Sequence, residues 1–441
     1  MSRAAVNSPR RVRSSLPVAP MACALLLLPL CLAVPATGTS FVMISDEDLT
    51  DGSEIVARVR VLSASPASAS GRPYTDYRVR LEEVVKGAPA AEVLTVSVLG
   101  GVAADGSRLK IWGAPEFRVG ESAILFLDRA AEGWRVNHLM LGAFRTVDID
   151  GRELAVRNLS EAVEVTWPEQ EVSGQPLSIR RARDPRDAGR FLAWVADRAA
   201  GLERAPDYFR EPATDKLRSF TEQFTLFETS GSLNIRWQEF DRGEQVEWYI
   251  ARRQRGIGGG GKSQLLEAIE AWNRIGSIDL AFAGRRNRQR NGLEQFDDFN
   301  VVLMEDPNDE ISEFSCTSGG TLALGGPWFG AGTHEKRGKR YATTAGADIV
   351  FADGLRCFFR ASPDRKAVMA EIIAHELGHT LGIGHSCGDD SSPVCAGHPR
   401  LDDALMRASV HDDGRGARIA KDDKRAAKRP AGMRYKGVDA E

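Results

Sequence analysis

The chain has 441 residues, 42% hydrophobic and 27% charged, a composition that excludes collagen-like, wholly disordered and multispan membrane classes. Its 58 basic and 61 acidic side chains give a formal charge of −3, so no chain-wide field draws nucleic acid or an anionic membrane. At about 150 residues per domain, the length implies two or three domains with a sizeable core.

Residues 1–36 read as a secretory signal peptide, because Arg3, Arg10, Arg11 and Arg13 precede an apolar run that ends in small residues around Ala36. The run holds Pro29 and falls short of the roughly 20 apolar residues a bilayer span needs, so no stable membrane span is expected. Its removal takes away four arginines and leaves 54 basic against 61 acidic side chains. The expected product is a mildly acidic exported protein, extracellular or periplasmic. Cys23 and Cys31 leave with the signal, and Cys316, Cys357, Cys387 and Cys395 stay. In an oxidising compartment these four allow three pairings. The favoured one closes a short loop between Cys387 and Cys395 and joins Cys316 to Cys357 as the remainder.

Residues 41–165 alternate short β-rich runs, at 55–62, 77–85, 93–99, 123–127, 134–139 and 144–149, with Gly, Pro and Asp. This pattern predicts an antiparallel barrel or sandwich. It shows no catalytic constellation and suits a module for binding, folding assistance or latency. Residues 166–231 read as a connector or pro-region with one helix after Pro185, where Phe191, Leu192, Val195 and Ala199 recur at helical spacing.

From residue 232 to 441 the pattern changes. Strands are expected at 246–251, 278–282, 301–304 and 349–351, and helices at 263–275 and 365–380, giving a mixed α/β domain. The fold class expected for the whole chain is therefore α+β and multidomain. The stretch from Arg415 holds nine basic and four acidic side chains and reads as a solvated helix face rather than a nucleic-acid site.

The chemistry concentrates in His375-Glu376-Leu377-Gly378-His379-Thr380-Leu381-Gly382-Ile383-Gly384-His385, which holds three of the seven histidines. Positions i and i+4 share one helix face, so His375 and His379 can meet one ion with Glu376 beside it. Gly382 can adopt a left-handed conformation that returns His385 to the same ion as a third ligand, leaving a position open for water. A lone H-E-x-x-H also arises by accident on charged helices. The added Gly382 and His385 make accident a poor account.

The extended pattern H-E-x-x-H-x-x-G-x-x-H resembles that of the metzincin metallopeptidases, and Ser386 after the third histidine resembles the matrixin branch. The resemblance also implies a methionine turn beneath the ligands, which Ala404-Leu405-Met406 fits, with Met406 as a soft apolar floor. Gly319-Gly320 followed by Thr321, Leu322, Ala323 and Leu324 resembles the edge strand along which a matrixin lays its peptide substrate. An ordinary strand after a glycine turn explains the same residues equally well. The implied activity is zinc-dependent hydrolysis of peptide bonds, with a zinc-activated water and Glu376 as general base. A protein or peptide paired with the edge strand is the implied partner.

The resemblance covers about the second half of the chain and departs from the family in three ways. No cysteine precedes Cys316 in the exported part, so a cysteine cannot hold the zinc in latency. Only His334 stands where animal matrixins build a second zinc site. The loop from His385 to Met406 is long and carries Asp389, Asp390, Asp402 and Asp403, whose carboxylates suit calcium, although a solvated acidic loop is the plainer account.

Gly256 to Ser263 spells a phosphate-loop pattern around Lys262, but the polar Arg252-Arg253-Gln254-Arg255 separates it from the preceding strand. The alternatives to a peptidase are a catalytically silent zinc-binding or interaction protein on the same scaffold, a phosphate-loop nucleotidase, and a hydrolase of non-peptide bonds.

Overall fold

The computed structural model describes residues 38–428 except 70–71, 131–132, 150, 160, 167–174, 211–232, 287–292, 294–296, 298, 362–363 and 390–391. The expected signal peptide and much of the expected connector lie outside the described residues.

The chain is α+β, with two mixed sheets and few helices. The strands of the first half are β1 (Thr39–Val42), β2 (Ile55–Ala69), β3 (Arg72–Lys86), β4 (Val93–Leu99), β5 (Gly101–Val102), β6 (Arg108–Leu109), β7 (Ser122–Ala130), β8 (Gly133–Val136), β9 (Ala143–Ile149), β10 (Arg152–Arg157), β11 (Val163–Glu164) and β12 (Arg186–Asp187). The second half contributes β13 (Ile235–Trp237), β14 (Val246–Ala251), β15 (Leu280–Arg285), β16 (Asn300–Leu303), β17 (Gly320–Lys336) and β18 (Lys339–Phe351). The α-helices are α1 (Asp46–Gly52), α2 (Leu177–Arg180), α3 (Ala188–Ala199), α4 (Glu239–Arg242), α5 (Lys262–Asn273), α6 (Arg365–Thr380), α7 (Pro399–Asp402) and α8 (Lys421–Lys428).

The first sheet runs β12-β10-β9-β7-β2-β3-β4-β8, and β8 pairs back onto β7. The pairings of β7, β2, β3, β4 and β8 thus form a closed circuit. Period-two alternation sends the two faces of its strands into different cores. Ile55, Ala57 and Val59 of β2 and Leu125 and Leu127 of β7 join one cluster, whereas Val56, Ile124 and Phe126 join Phe191, Trp194 and Val195 of α3 in a second.

The second sheet runs β11-β1-β17-β18-β16-β14-β15, with β13 also paired to β18. Its parallel strand β16 is buried throughout, and β14 is apolar and largely buried apart from the exposed Glu247, as in strands covered on both faces. The long β17–β18 hairpin turns through Arg337 (φ +51) and Gly338 (φ +75), two left-handed residues of the kind a tight hairpin requires. Helix α6 packs against α5 and β17. Strands β1, β5, β6 and β11, all from the first 165 residues, belong to this second sheet, and the larger core runs unbroken from Val59 and Val79 to Trp248, Val302 and Ile373.

Candidate metal and active site

Helix α6 is buried along its whole length from Val368 to Thr380. Two indoles anchor it: Trp272 Nε1 donates to the Ala374 carbonyl and Trp237 Nε1 to that of Thr380, each at 2.7 Å. The helix ends in a Schellman motif, in which Ile383 N reaches Gly378 O at 3.1 Å and Gly382 N reaches His379 O at 2.9 Å. This motif needs a left-handed residue, supplied by Gly382 at φ +83. A Cβ there would also lie 2.7 Å from the Ile235 carbonyl, so position 382 is closed to larger residues twice over. Beyond the turn the chain brings His385 back to the helix.

His375, His379 and His385 meet as expected from the sequence, with one ligand nitrogen of each within 4.8 Å of the others. All three are at most 1% exposed. Each Nδ1 has its own partner: Leu405 O for His375 and Ile383 O for His379, both at 2.8 Å, and Asp389 Oδ2 for His385 at 2.5 Å. A ring that donates from Nδ1 turns the lone pair of its Nε2 inward, the orientation that a hydrogen-bond acceptor behind the ring imposes on metal-binding histidines. Nε2 of His375 and Nε2 of His385 lie 3.2 Å apart. Burial holds His375 and His379 well below the usual histidine range, reinforced by the neighbouring rings. Both are therefore neutral at neutral pH, the form that binds metal.

Glu376 is fully buried beside them, and burial pushes its carboxyl up to about 8 against the opposing pull of the Ser40 hydroxyl. Ser40 Oγ donates to Glu376 Oε1 at 2.5 Å. Gly325 faces the other oxygen, and a Cβ there would stand 2.9 Å from Glu376 Oε2.

Met406 lies under the helix as expected. A Cβ on Gly378 would meet Met406 Sδ at 2.3 Å and Trp272 Cζ2 at 2.7 Å, which explains the glycine between the two helical histidines. The Asp423 carboxylate accepts from Leu405 N, Met406 N and Ala420 N at 2.9, 3.1 and 2.7 Å. Asp423 and its neighbour Asp422 are buried, so this part of α8 is packed beneath the site, where the sequence suggested a solvated face.

The four residues Thr321, Leu322, Ala323 and Leu324 form a strand, but not a free edge. Strand β1 pairs antiparallel along them, with Thr39 opposite Leu324, Ser40 opposite Ala323 and Phe41 opposite Thr321. That pairing joins strands about 280 residues apart, and no local pattern announces it. Ser40 and Asp423 were likewise invisible as site residues. The role of Asp389 could have been found, because it stands four residues after His385.

Both expected cysteine pairings are at disulfide distance, Cys387 with Cys395 and Cys316 with Cys357. Of the acidic candidates for calcium, Asp389 holds His385, Asp402 pairs with Arg407, and Asp403 pairs with Arg415 and Arg418. Asp390 lies outside the described residues. His334 stacks on Tyr341 and bonds Thr343. In the phosphate-loop pattern, the Lys262 ammonium lies 5.0 Å from the centre of the Phe282 ring, and a Cβ on Gly261 would meet Met304 at 2.7 Å. Gly256, Gly260 and Gly261 serve close packing of the loop, whereas Gly258 and Gly259 face open space. Among the described residues no helix is long and apolar enough to cross a membrane.

No family model, curated protein or solved structure matches the chain.

Proposed function

We propose that this protein is an exported zinc-dependent endopeptidase, with a matrixin-like catalytic half preceded by a β barrel. The observation that carries the reading is the convergence of His375, His379 and His385 on one point with Glu376 next to them on the same helix. Tetrahedral zinc at about 2.0–2.1 Å from its nitrogens needs those nitrogens about 3.3 Å apart. The 3.2 Å between His375 Nε2 and His385 Nε2 fits that requirement, and so do neutral rings with acceptors behind them.

Zinc bound there would act as a Lewis acid toward a scissile carbonyl and would acidify water. The chain's own groups supply the remainder. Glu376, buried and with Oε2 free of any hydrogen-bond partner among the described residues, would accept the proton of the attacking water and pass it to the departing amine. A cation held by the three histidines would favour the ionised carboxylate against the pull of burial and so keep the base available. Gly325 leaves room beside the carboxylate, and the backbone of Thr321, Leu322, Ala323 and Leu324 would pair with an extended peptide.

The test is chelation and reconstitution. With strand β1 displaced from residues 321–324, removal of metal should abolish casein hydrolysis and zinc should restore it, and His379→Ala should purify with far less than one zinc per chain. Hydrolysis indifferent to chelation, or full zinc in His379→Ala, would refute the reading.

A further inference from the structure

Strand β1 occupies the place in the second sheet where an extended peptide would have to lie. Gly325 N donates to Gly38 O at 3.1 Å, which continues the β1–β17 ladder up to the histidines. A Cβ on Gly38 would stand 3.0 Å from His379 Cδ2 and 2.8 Å from Trp112 Cδ1. The other side of β1 is also filled. Strand β11 pairs with it in parallel, with Ser40 opposite Val163, and Val165 N donates to Phe41 O at 2.7 Å. Glu164 in turn bonds the segment after Met406, through Glu164 N to Ala408 O at 3.1 Å and Val410 N to Glu164 O at 2.9 Å. Two strands from the first half therefore bridge the gap between Thr321–Leu324 and the chain beyond Met406.

We propose that residues 38–42 act as a built-in inhibitor: they fill the peptide groove and tie up Glu376 through Ser40, so the full chain is latent until they withdraw. The proposal rests on the peptidase reading of the site. It is specific to an extended-peptide groove, because the occupant is itself an extended peptide held mainly by main-chain pairing. Its hydroxyl contact engages one oxygen of the base, Glu376 Oε1, while the strand fills the space.

The strand is also held from behind. Asp46, the first residue of α1 four positions after β1, is fully buried and accepts from Arg157 at 3.1 Å, Arg186 at 2.9 Å and Tyr208 at 2.9 Å. Phe41, Met43 and Ile44 sit in the core around α3. Withdrawal of β1 therefore requires displacement of its surroundings in the first half, not simple fraying of a loose end, and latency should be tight. This arrangement gives the first half a role in which it needs no catalytic residue, and it fills the gap left by the absence of any cysteine before Cys316 in the exported part.

The test compares the zinc-loaded full chain with Ser40→Glu, which places a second carboxylate against buried Glu376 and should expel β1. The probe is a fluorescently labelled peptide of residues 38–45, read by anisotropy, with casein hydrolysis measured alongside. A groove open in only a small fraction of molecules weakens apparent affinity by that fraction. Ser40→Glu is therefore expected to bind the peptide at least about tenfold tighter than the unmutated chain and to cleave casein at least about tenfold faster. Equal peptide affinity in the two proteins would overturn the proposal, and equal casein hydrolysis with it would leave the peptidase reading intact. Peptide binding gained without any hydrolysis would sustain groove occupancy and refute the peptidase. If Ser40→Glu does not fold, hydrogen exchange of the unmutated chain decides. Amides of residues 321–325 exchanging as slowly as the core support occupancy, and amides exchanging as fast as exposed loops overturn it.

Discussion

Each imidazole of the cluster is aimed by an acceptor behind it, and the three acceptors differ in kind. Two are backbone carbonyls, Leu405 O and Ile383 O, which no side-chain substitution removes. The third is the Asp389 carboxylate at 2.5 Å from His385. Asp389→Asn is therefore expected to keep the fold but weaken metal affinity about 10- to 100-fold, read by competition with a chromogenic chelator. Affinity unchanged by the substitution would mean that Asp389 does not orient the ring. The histidines, Glu376 and Gly382 were legible in the sequence because their chemistry is local: i and i+4 share a helix face, and a glycine can leave the helix in a left-handed turn. Ser40 was not legible, since its contact with Glu376 spans 336 positions.

Helix α6 and the loop that ends in Met406 make one unit, clamped from below by α8. Asp423 accepts three backbone hydrogen bonds there, and each buried donor left without an acceptor costs about 1–3 kcal/mol. Asp423→Ala should lose on the order of 3 kcal/mol or more, visible as a melting temperature lower by several degrees, and should also loosen metal binding because Leu405 O carries His375. A wild-type melting curve for that variant would remove Asp423 from the clamp. The bounds of α6, 365–380, were readable from its apolar spacing and glycine stop. The buried face of α8 was not, because its composition is strongly charged and its inward residues include two adjacent aspartates, Asp422 and Asp423, which leave no apolar periodicity. Strand β17 likewise runs on to Lys336, well beyond the four residues the glycine turn singled out, since its length is fixed by its partner β18.

Across the molecule, the two halves meet at the strand that faces the histidine cluster. His138, from the first half, is 7% exposed, and its Nδ1 accepts from Thr321 N at 3.5 Å. Burial, aided by Arg135, holds this imidazole down to about 4. The unfolded chain therefore binds a proton near 6.5 that the folded chain refuses, so stability rises with pH across this window and is lost as pH falls from about 6.5 to about 4. The contribution is roughly 3 kcal/mol. His138→Asn, which tolerates the left-handed φ of +50 at this position, should flatten that part of the stability–pH curve measured by urea unfolding. An identical acid slope in both proteins would contradict the assignment. Such coupling between halves was hidden from the sequence, which shows two stretches of different texture but not that four strands of the first complete the sheet of the second.

The most direct test of the account is casein hydrolysis by zinc-loaded Ser40→Glu beside Ser40→Glu/Glu376→Ala, with zinc content measured on both. The account predicts equal zinc in the two proteins, cleavage by the first, and a rate at least about 10²-fold lower in the second. Equal rates in the two, or a zinc-loaded, peptide-binding Ser40→Glu that leaves casein intact, would contradict it.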